Sequence, residues 1–106
     1  MGGLKVLASY LKGTKRDSLL SLGDNLKAVH PNYLIVLIGE ENGGFPIIAL
    51  ASKAAIDKGL MAGNVIRQVA NALGGSGGGR PDMASGAGKD ASKIDVAINL
   101  VKGLVK

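Results

Sequence analysis

Arg80 is the residue of this chain best suited to hold an anion. It follows a glycine-dense run, Gly74–Gly79, and precedes Pro81 and Asp82. A guanidinium presents a planar fork of donors that fits a phosphate or the edge of a guanine. Glycine accepts positive φ and lets another backbone come close, so neighbouring N–H groups can converge on an anion. The run predicts a surface for a phosphate-bearing partner. The alternative is that Arg80 pairs with Asp82 in a compact Arg-Pro-Asp turn or caps helix carbonyls.

Residues on either side of the glycine run extend this candidate site. The predicted helix that leads into the run has a polar face, and a lysine follows the run. The predicted nucleic-acid-binding set comprises Gly75, Gly77, Gly78, Gly79, Arg80, Arg67, Gln68, Asn71 and Lys89. The alternative is a loop whose glycines only let it pass close to neighbouring elements, because a glycine-rich run alone is weak evidence for binding.

Side chains that could perform catalysis are scarce. There is no cysteine, which excludes disulfides, thiol nucleophiles and cysteine-based zinc sites, and the single histidine, His30, precedes a proline at a predicted helix end. The aspartates near the glycine run lack partners at metal-ligand spacing. The run also departs from a Walker A phosphate loop, because Arg80 and Pro81 stand where that motif needs lysine and Ser/Thr. We therefore expect neither a catalytic residue nor a metal site in this chain.

The composition favours a small basic domain with an acidic partner. The 106 residues carry a formal charge of +5, and 46% of them are apolar, which suffices for one modest core. The basic residues are spread along the chain, so the positive field is broad. Such a field favours nucleic acid as the partner, and a basic domain with another role is the alternative. No apolar run reaches the roughly 20 residues that a membrane span needs.

The first half of the chain predicts a strand, a helix and two further strands. Alternation over Leu4–Tyr10 indicates a half-buried strand, and leucine spacing after a Thr14–Asp17 capping box indicates a helix that stops at His30-Pro31. The apolar run Tyr33–Gly39 is typical of a strand buried on both faces. An Asn-Gly turn then returns the chain as a strand over Phe45–Ala51.

The second half predicts helices around the glycine run. A short helix is expected within Ser52–Lys58, and a longer one over Asn64–Leu73 with Gly74 as its C-terminal cap. After the glycine loop, a capping-box spacing over Ser92–Asp95 opens a last helix. The order strand, helix, strand, strand, helix, glycine loop, helix predicts an α/β domain with a small mixed sheet covered by helices. Residues 1–106 are expected to form this one domain.

The segment Asn64–Gly86 resembles the glycine-rich, DHHA1-type C-terminal domain of bacterial alanyl-tRNA synthetase. In that family a helix runs into Gly-Gly-x-Gly-Gly-Gly-Arg-Pro-Asp-Met-Ala, which is the pattern of Gly74–Ala84. The first strand, the buried strand and the closing helix also fit, so the resemblance covers essentially the whole chain. Ser85 departs from the family, which often has glutamine there, and this leaves the role of that position open.

The resemblance implies a tRNA-binding domain that is not itself catalytic. In the family this domain follows the aminoacylation and editing domains, binds the tRNA elbow, and helps to present one tRNA to both active sites. The implied partners are alanine-specific tRNA and the other domains of one cytoplasmic synthetase, with no membrane and with a homodimer through the parent chain as an option. The parent chain would be an alanine–tRNA ligase of which these residues are a piece. ATP, magnesium and zinc are implied only for the missing parts, and no cofactor for this domain.

Two other readings remain open from the sequence. A lobe of DHH-type phosphoesterases resembles the chain in its glycine run, but that lobe typically carries histidine after the run, where this chain has Arg80. A purely structural or dimerising domain is the second alternative, which the net positive charge disfavours.

Overall fold

A computed structural model of the chain describes residues 5–29 and 32–103. Within these ranges, five strands form one sheet: β1 (Lys5–Tyr10), β2 (Tyr33–Ile38), β3 (Phe45–Ala51), β4 (Ser76–Gly79) and β5 (Met83–Gly88). The described part of the chain also has four α-helices: α1 (Arg16–Val29), α2 (Lys53–Asp57), α3 (Ala62–Ala72) and α4 (Ile94–Gly103). The predicted stop at His30-Pro31, Leu4 of the first strand, and the end of the last helix lie outside the described residues.

The sheet is mixed, with strand order β1-β2-β3-β5-β4. β1 and β2 are parallel neighbours that α1 connects along the chain, and the other strand pairs are antiparallel. The β2–β3 hairpin turns at Asn42 and Gly43, whose φ angles of 53° and 80° fit the predicted Asn-Gly turn. These features confirm the predicted small α/β domain with a mixed sheet.

Apolar side chains fill both sides of the central strands. In β2, Leu34 and Val36 pack towards α2, α3 and α4, while Ile35 and Leu37 pack towards α1, and all four are at most 2% exposed. Full burial of each such side chain stabilises the fold by about 1.5–3 kcal/mol. The uninterrupted apolar run in β2 is therefore explained by helices on both faces of the sheet.

The glycine run is not a loop, and this part of the prediction was wrong. Ser76–Gly79 and Met83–Gly88 form an antiparallel β-hairpin at the end of the sheet. Pro81 and Asp82 make its turn, where the Arg80 N–H donates to the Met83 carbonyl at 2.9 Å. Strands pair through backbone hydrogen bonds, which need no side chains. Hydrophobic periodicity therefore cannot predict a strand that lacks alternating apolar residues.

Two helices start differently from their predicted capping boxes. The Thr14 carbonyl accepts from the Glu40 N–H at 2.9 Å, and α1 begins at Arg16, whose N–H donates to the Glu41 carboxylate at 3.3 Å. Glu41 comes from the β2–β3 turn, so the start of α1 is fixed by a residue distant in sequence.

The last helix is preceded by a 3₁₀ turn, Ala91–Lys93, that Asp90 caps instead of Ser92. The Asp90 carboxylate accepts from the Ser92 N–H at 3.0 Å and from the Ser92 hydroxyl. The hydrogen bond from that hydroxyl is the main cause that lowers the pKa of Asp90.

Candidate nucleic-acid interface

The C-terminus of α3 delivers the chain directly into the hairpin. Gly74 has φ 72°, and its N–H donates to the Asn71 carbonyl at 3.1 Å, while the Gly75 N–H donates to the Ala70 carbonyl at 2.8 Å. This pair of bonds is a Schellman motif, in which glycine takes the left-handed position. The predicted cap at Gly74 is confirmed, and it turns the chain back so that β4 runs beneath α3.

Packing accounts for most of the predicted glycines. A Cβ on Gly75 would lie 1.8 Å from the Ala87 carbonyl oxygen. One on Gly77 would lie 2.7 Å from the Gly86 Cα, and one on Gly79 would lie 2.7 Å from the Ala84 Cα. Atoms cannot approach so closely, so these three positions exclude a side chain for reasons internal to the fold.

Gly78 differs from its neighbours. A Cβ on Gly78 would meet no atom of residues 5–29 and 32–103 within 4 Å, and the φ of Gly78 lies outside the left-handed region. The residue pairs with Ser85 across the hairpin, and Ser85 pairs in turn with Ile48 of β3. Because paired residues share a face, Gly78 lies on the face of the sheet where Ile48 packs towards α1.

Arg80 lies at the turn of the hairpin and makes the pair that the turn alternative predicts. Its Nε lies 3.5 Å from Asp82 Oδ1, with the two side chains 75% and 60% exposed. Exposed ion pairs of this kind contribute little to stability. The Arg80 guanidinium therefore remains accessible to an external anion.

The helix residues of the predicted site lie on another surface. Arg67, Gln68 and Asn71 are exposed on the outer side of α3, where Arg67 Nη1 donates to Asn64 Oδ1 at 3.4 Å. α3 covers the face of the sheet opposite to α1. The sheet therefore separates these three side chains from the face that carries Gly78.

Lys89 stands at the other end of the hairpin from Arg80. It follows β5, is exposed, and its N–H donates to the Leu73 carbonyl at 2.7 Å. Six strand residues separate it from the turn, which corresponds to about 20 Å at 3.4 Å per residue. The structure thus distributes the predicted basic residues over the turn, the far end of the hairpin and the outer side of α3.

Arg16 is a candidate that the sequence did not reveal. It is the first residue of α1, and its Nη2 donates to Ser85 Oγ at 3.2 Å. This contact gives a structural role to Ser85, the position that departs from the family pattern. The two residues are 69 positions apart, so no local spacing could have indicated the pair.

A shallow trough runs from Arg16 to Lys89. It consists of two depressions of about 500 and 220 Å³ that share Gly44 and Ala87. Lys89 lines the larger depression and Arg16 the smaller one. An open trough with a cation at each end suits an extended anionic chain better than a small enclosed ligand.

Residues 5–29 and 32–103 contain no group of three or more His, Cys, Asp or Glu side chains that could hold a metal ion. Within the same ranges, no helix combines the length and the apolar character needed to cross a bilayer.

The chain matches known proteins over its whole length. The family model of the DHHA1 domain matches residues 3–106. The alanine–tRNA ligase of Shouchella clausii is 40% identical over 106 residues, and that of Bacillus pumilus is 41% identical over 106 residues, in each case covering 100% of this chain. The chain spans about 12% of the length of these relatives.

A solved structure has the same fold. The crystal structure of the C-Ala domain from Aquifex aeolicus alanyl-tRNA synthetase superimposes with a TM-score of 0.83 at 28% identity, covering 94% of this chain and 89% of that one. Sequence and fold agree, which confirms the resemblance drawn from the glycine motif. The chain belongs to the DHHA1 domain family, and within it to the type that forms the C-terminal domain of alanyl-tRNA synthetase.

Proposed function

We propose that this chain is the tRNA-binding C-terminal domain of an alanyl-tRNA synthetase and docks the elbow of alanine-specific tRNA. The observation that carries the proposal is the match along the entire chain to alanine–tRNA ligases, together with the fold shared with a C-Ala domain. Residues 1–106 are one domain of a longer cytoplasmic chain, and the other domains of that chain aminoacylate and edit the bound tRNA.

The charge and surface of the domain support this role. The chain carries a net charge of +5, and Arg16, Arg67, Arg80 and Lys89 are exposed. Cationic side chains bind phosphates irrespective of base sequence, and folded RNA is recognised largely by its shape and its 2′-hydroxyls. A domain of this kind positions the tRNA and leaves the chemistry to other domains.

In this proposal the domain itself uses no cofactor. ATP, magnesium and zinc serve the aminoacylation and editing parts of the parent alanine–tRNA ligase. The domain contacts those parts as well as the tRNA. A homodimer through the parent chain is the remaining element of the proposal, and light scattering of that longer chain tests it.

The direct test is enzymatic footprinting of alanine tRNA bound to the 106-residue chain. We expect protection where the D- and T-loops meet. We also expect intact tRNA to bind more tightly than an isolated acceptor-stem hairpin, which lacks the elbow. Protection confined to the acceptor stem or the anticodon, or equal affinity for the hairpin, contradicts elbow docking. If the chain binds neither RNA, the proposed tRNA-binding function is wrong and the domain has a structural role.

A further inference from the structure

The packing and backbone geometry of the fold do not explain why position 78 is a glycine. Each of the other glycines from Gly74 to Gly88 has a left-handed φ or excludes a Cβ through a contact shorter than 3.0 Å. Gly78 has neither restriction, although glycine in a strand costs stability relative to a residue that packs. A partner that comes close to the backbone at this point explains the missing side chain.

The residues around Gly78 form a flat patch on the α1 side of the sheet. Cross-strand pairing places Ser76 opposite Ala87 and Gly78 opposite Ser85, and all four lie on one face. We call these four residues the hairpin platform. α1 packs over β2 and β3, and the platform is half-buried to exposed. It presents two hydroxyl groups and little else that protrudes.

Cations adjoin the hairpin platform, and two glutamates on the Arg16 side accept hydrogen bonds from backbone N–H groups. The Arg16 guanidinium lies on Ser85, and Lys89 lines the depression that contains Ser76 and Ala87. Glu41 lines the other depression, but its carboxylate accepts from the Arg16 N–H. Glu40 accepts in the same way from the Gly13 N–H at 3.2 Å. Glu41 keeps its negative charge beside Arg16, while the platform and its cations offer a guanidinium, an ammonium and two hydroxyls, which complement a ribose–phosphate chain.

We propose that RNA contacts this domain through the hairpin platform, with a ribose–phosphate strand against Gly78 and a phosphate on Arg16, and not through the outer side of α3. The proposal rests on the proposed function and specifies the surface that performs it. Ser76 and Ser85 offer donors and acceptors to 2′-hydroxyls. The absence of a Cβ at Gly78 lets the strand lie against the backbone of β4.

The test uses the 106-residue chain and an alanine tRNA transcript, with dissociation constants from fluorescence anisotropy and folding from thermal melts. Gly78→Val and Arg16→Ala change the platform. Arg67→Ala tests the rival surface on α3, and Lys102→Ala is the charge control at an exposed lysine of α4. Gly103→Val is the matched control at a second glycine whose Cβ would meet no atom of the described residues within 4 Å. We expect Gly78→Val to weaken binding about tenfold or more without lowering the melting temperature. Arg16→Ala should weaken binding roughly fivefold or more, and Arg67→Ala should weaken it less than Arg16→Ala does. Lys102→Ala and Gly103→Val should stay within about twofold of the wild type.

The outcomes separate the two proposals. Unmeasurable binding by the wild-type chain overturns the tRNA-binding function itself. Wild-type binding that Gly78→Val and Arg16→Ala leave unchanged overturns only the platform, and a loss with Arg67→Ala would then assign the RNA to α3. If Gly78→Val melts early, Arg16→Ala with an unchanged melt decides the question, because Arg16 lies outside the hairpin.

Discussion

At the residue scale, Arg80 is paired with Asp82 and still accessible. Their closest charged atoms are 3.5 Å apart, and the arginine side chain is 75% exposed. The two interpretations drawn from the sequence, a turn pair and an anion contact, are therefore compatible. Asp82 competes with a phosphate for the same guanidinium, so its removal should favour RNA.

We expect Asp82→Asn to raise the affinity for tRNA up to about fivefold, since an exposed pair is worth roughly 0–1 kcal/mol.

Arg80→Ala should lower the affinity for tRNA by about 1–3 kcal/mol, and Arg80→Lys should recover only part of this loss, because an ammonium cannot reproduce a two-pronged contact. Titration of labelled tRNA measures all three. Unchanged affinity in a folded Arg80→Ala protein would mean that Arg80 serves only the turn.

At the element scale, the α3–hairpin unit depends on glycines that bring backbones together. A Cβ on Gly75 would lie 1.8 Å from the Ala87 carbonyl oxygen, and neither backbone can easily move. We expect Gly75→Ala to lower the free energy of unfolding by about 1–3 kcal/mol or more. Gly103→Ala in α4 is the control and should be neutral or stabilising by about 0.5–1 kcal/mol. Urea unfolding compares them, and an unchanged midpoint for Gly75→Ala would show that the hairpin does not pack this closely.

The elements with apolar patterns were predictable, and those without them were not. Continuous aliphatic runs predict β2 and β3, and an apolar stripe followed by a glycine cap predicts α3. β4 and β5 consist mostly of glycine, serine and alanine, so their pairing leaves no hydrophobic signal. The binding role of this motif stays a prediction, and the packing reason for most of its glycines could be recognised only in the structure.

The partner of Arg16 could not be predicted for a related reason. Its contact with Ser85 depends on how α1 lies over the sheet, which brings together residues 69 positions apart. The contact of Glu41 with the start of α1 has the same origin, because Glu41 reaches α1 from the β2–β3 turn. Local spacing favoured Thr14 for α1, and this tertiary contact overrode it. At the last helix the spacing favoured Ser92, but Asp90, two residues earlier, makes the cap.

Asp90, which caps the 3₁₀ turn in front of the last helix, makes the stability of the domain depend on pH. The hydrogen bond from Ser92 lowers the pKa of Asp90 below its ordinary value of 3.8, so the folded state favours the carboxylate. The resulting stability is present above about pH 4 and is lost as the pH falls through the folded pKa. Asp90→Asn retains a capping side chain but cannot titrate. We expect the stability difference between wild type and Asp90→Asn, measured by urea unfolding, to shrink below about pH 4. A constant difference would exclude Asp90 as a contributor.

At the scale of the whole molecule, positive charge lies on both sides of the sheet. Arg16 adjoins the hairpin platform, Arg67 lies on the outer side of α3, and Arg80 and Lys89 stand at the two ends of the hairpin. Long-range attraction to RNA draws on all of them. Only those that touch phosphates release counterions on binding, and this difference is measurable.

We expect the logarithm of tRNA affinity to fall with the logarithm of salt concentration at a slope of roughly −2 to −4, at about −0.7 to −0.9 per phosphate contact. If Arg16 binds a phosphate, Arg16→Ala should make this slope shallower by about 0.7–0.9, because one contact is lost. Arg67→Ala should reduce affinity slightly at low salt and change the slope by much less than Arg16→Ala does, since a distant charge acts only through the screened field. Filter binding across a series of potassium chloride concentrations gives the three slopes. A wild-type slope near zero would contradict phosphate contacts altogether and favour a structural role for the domain.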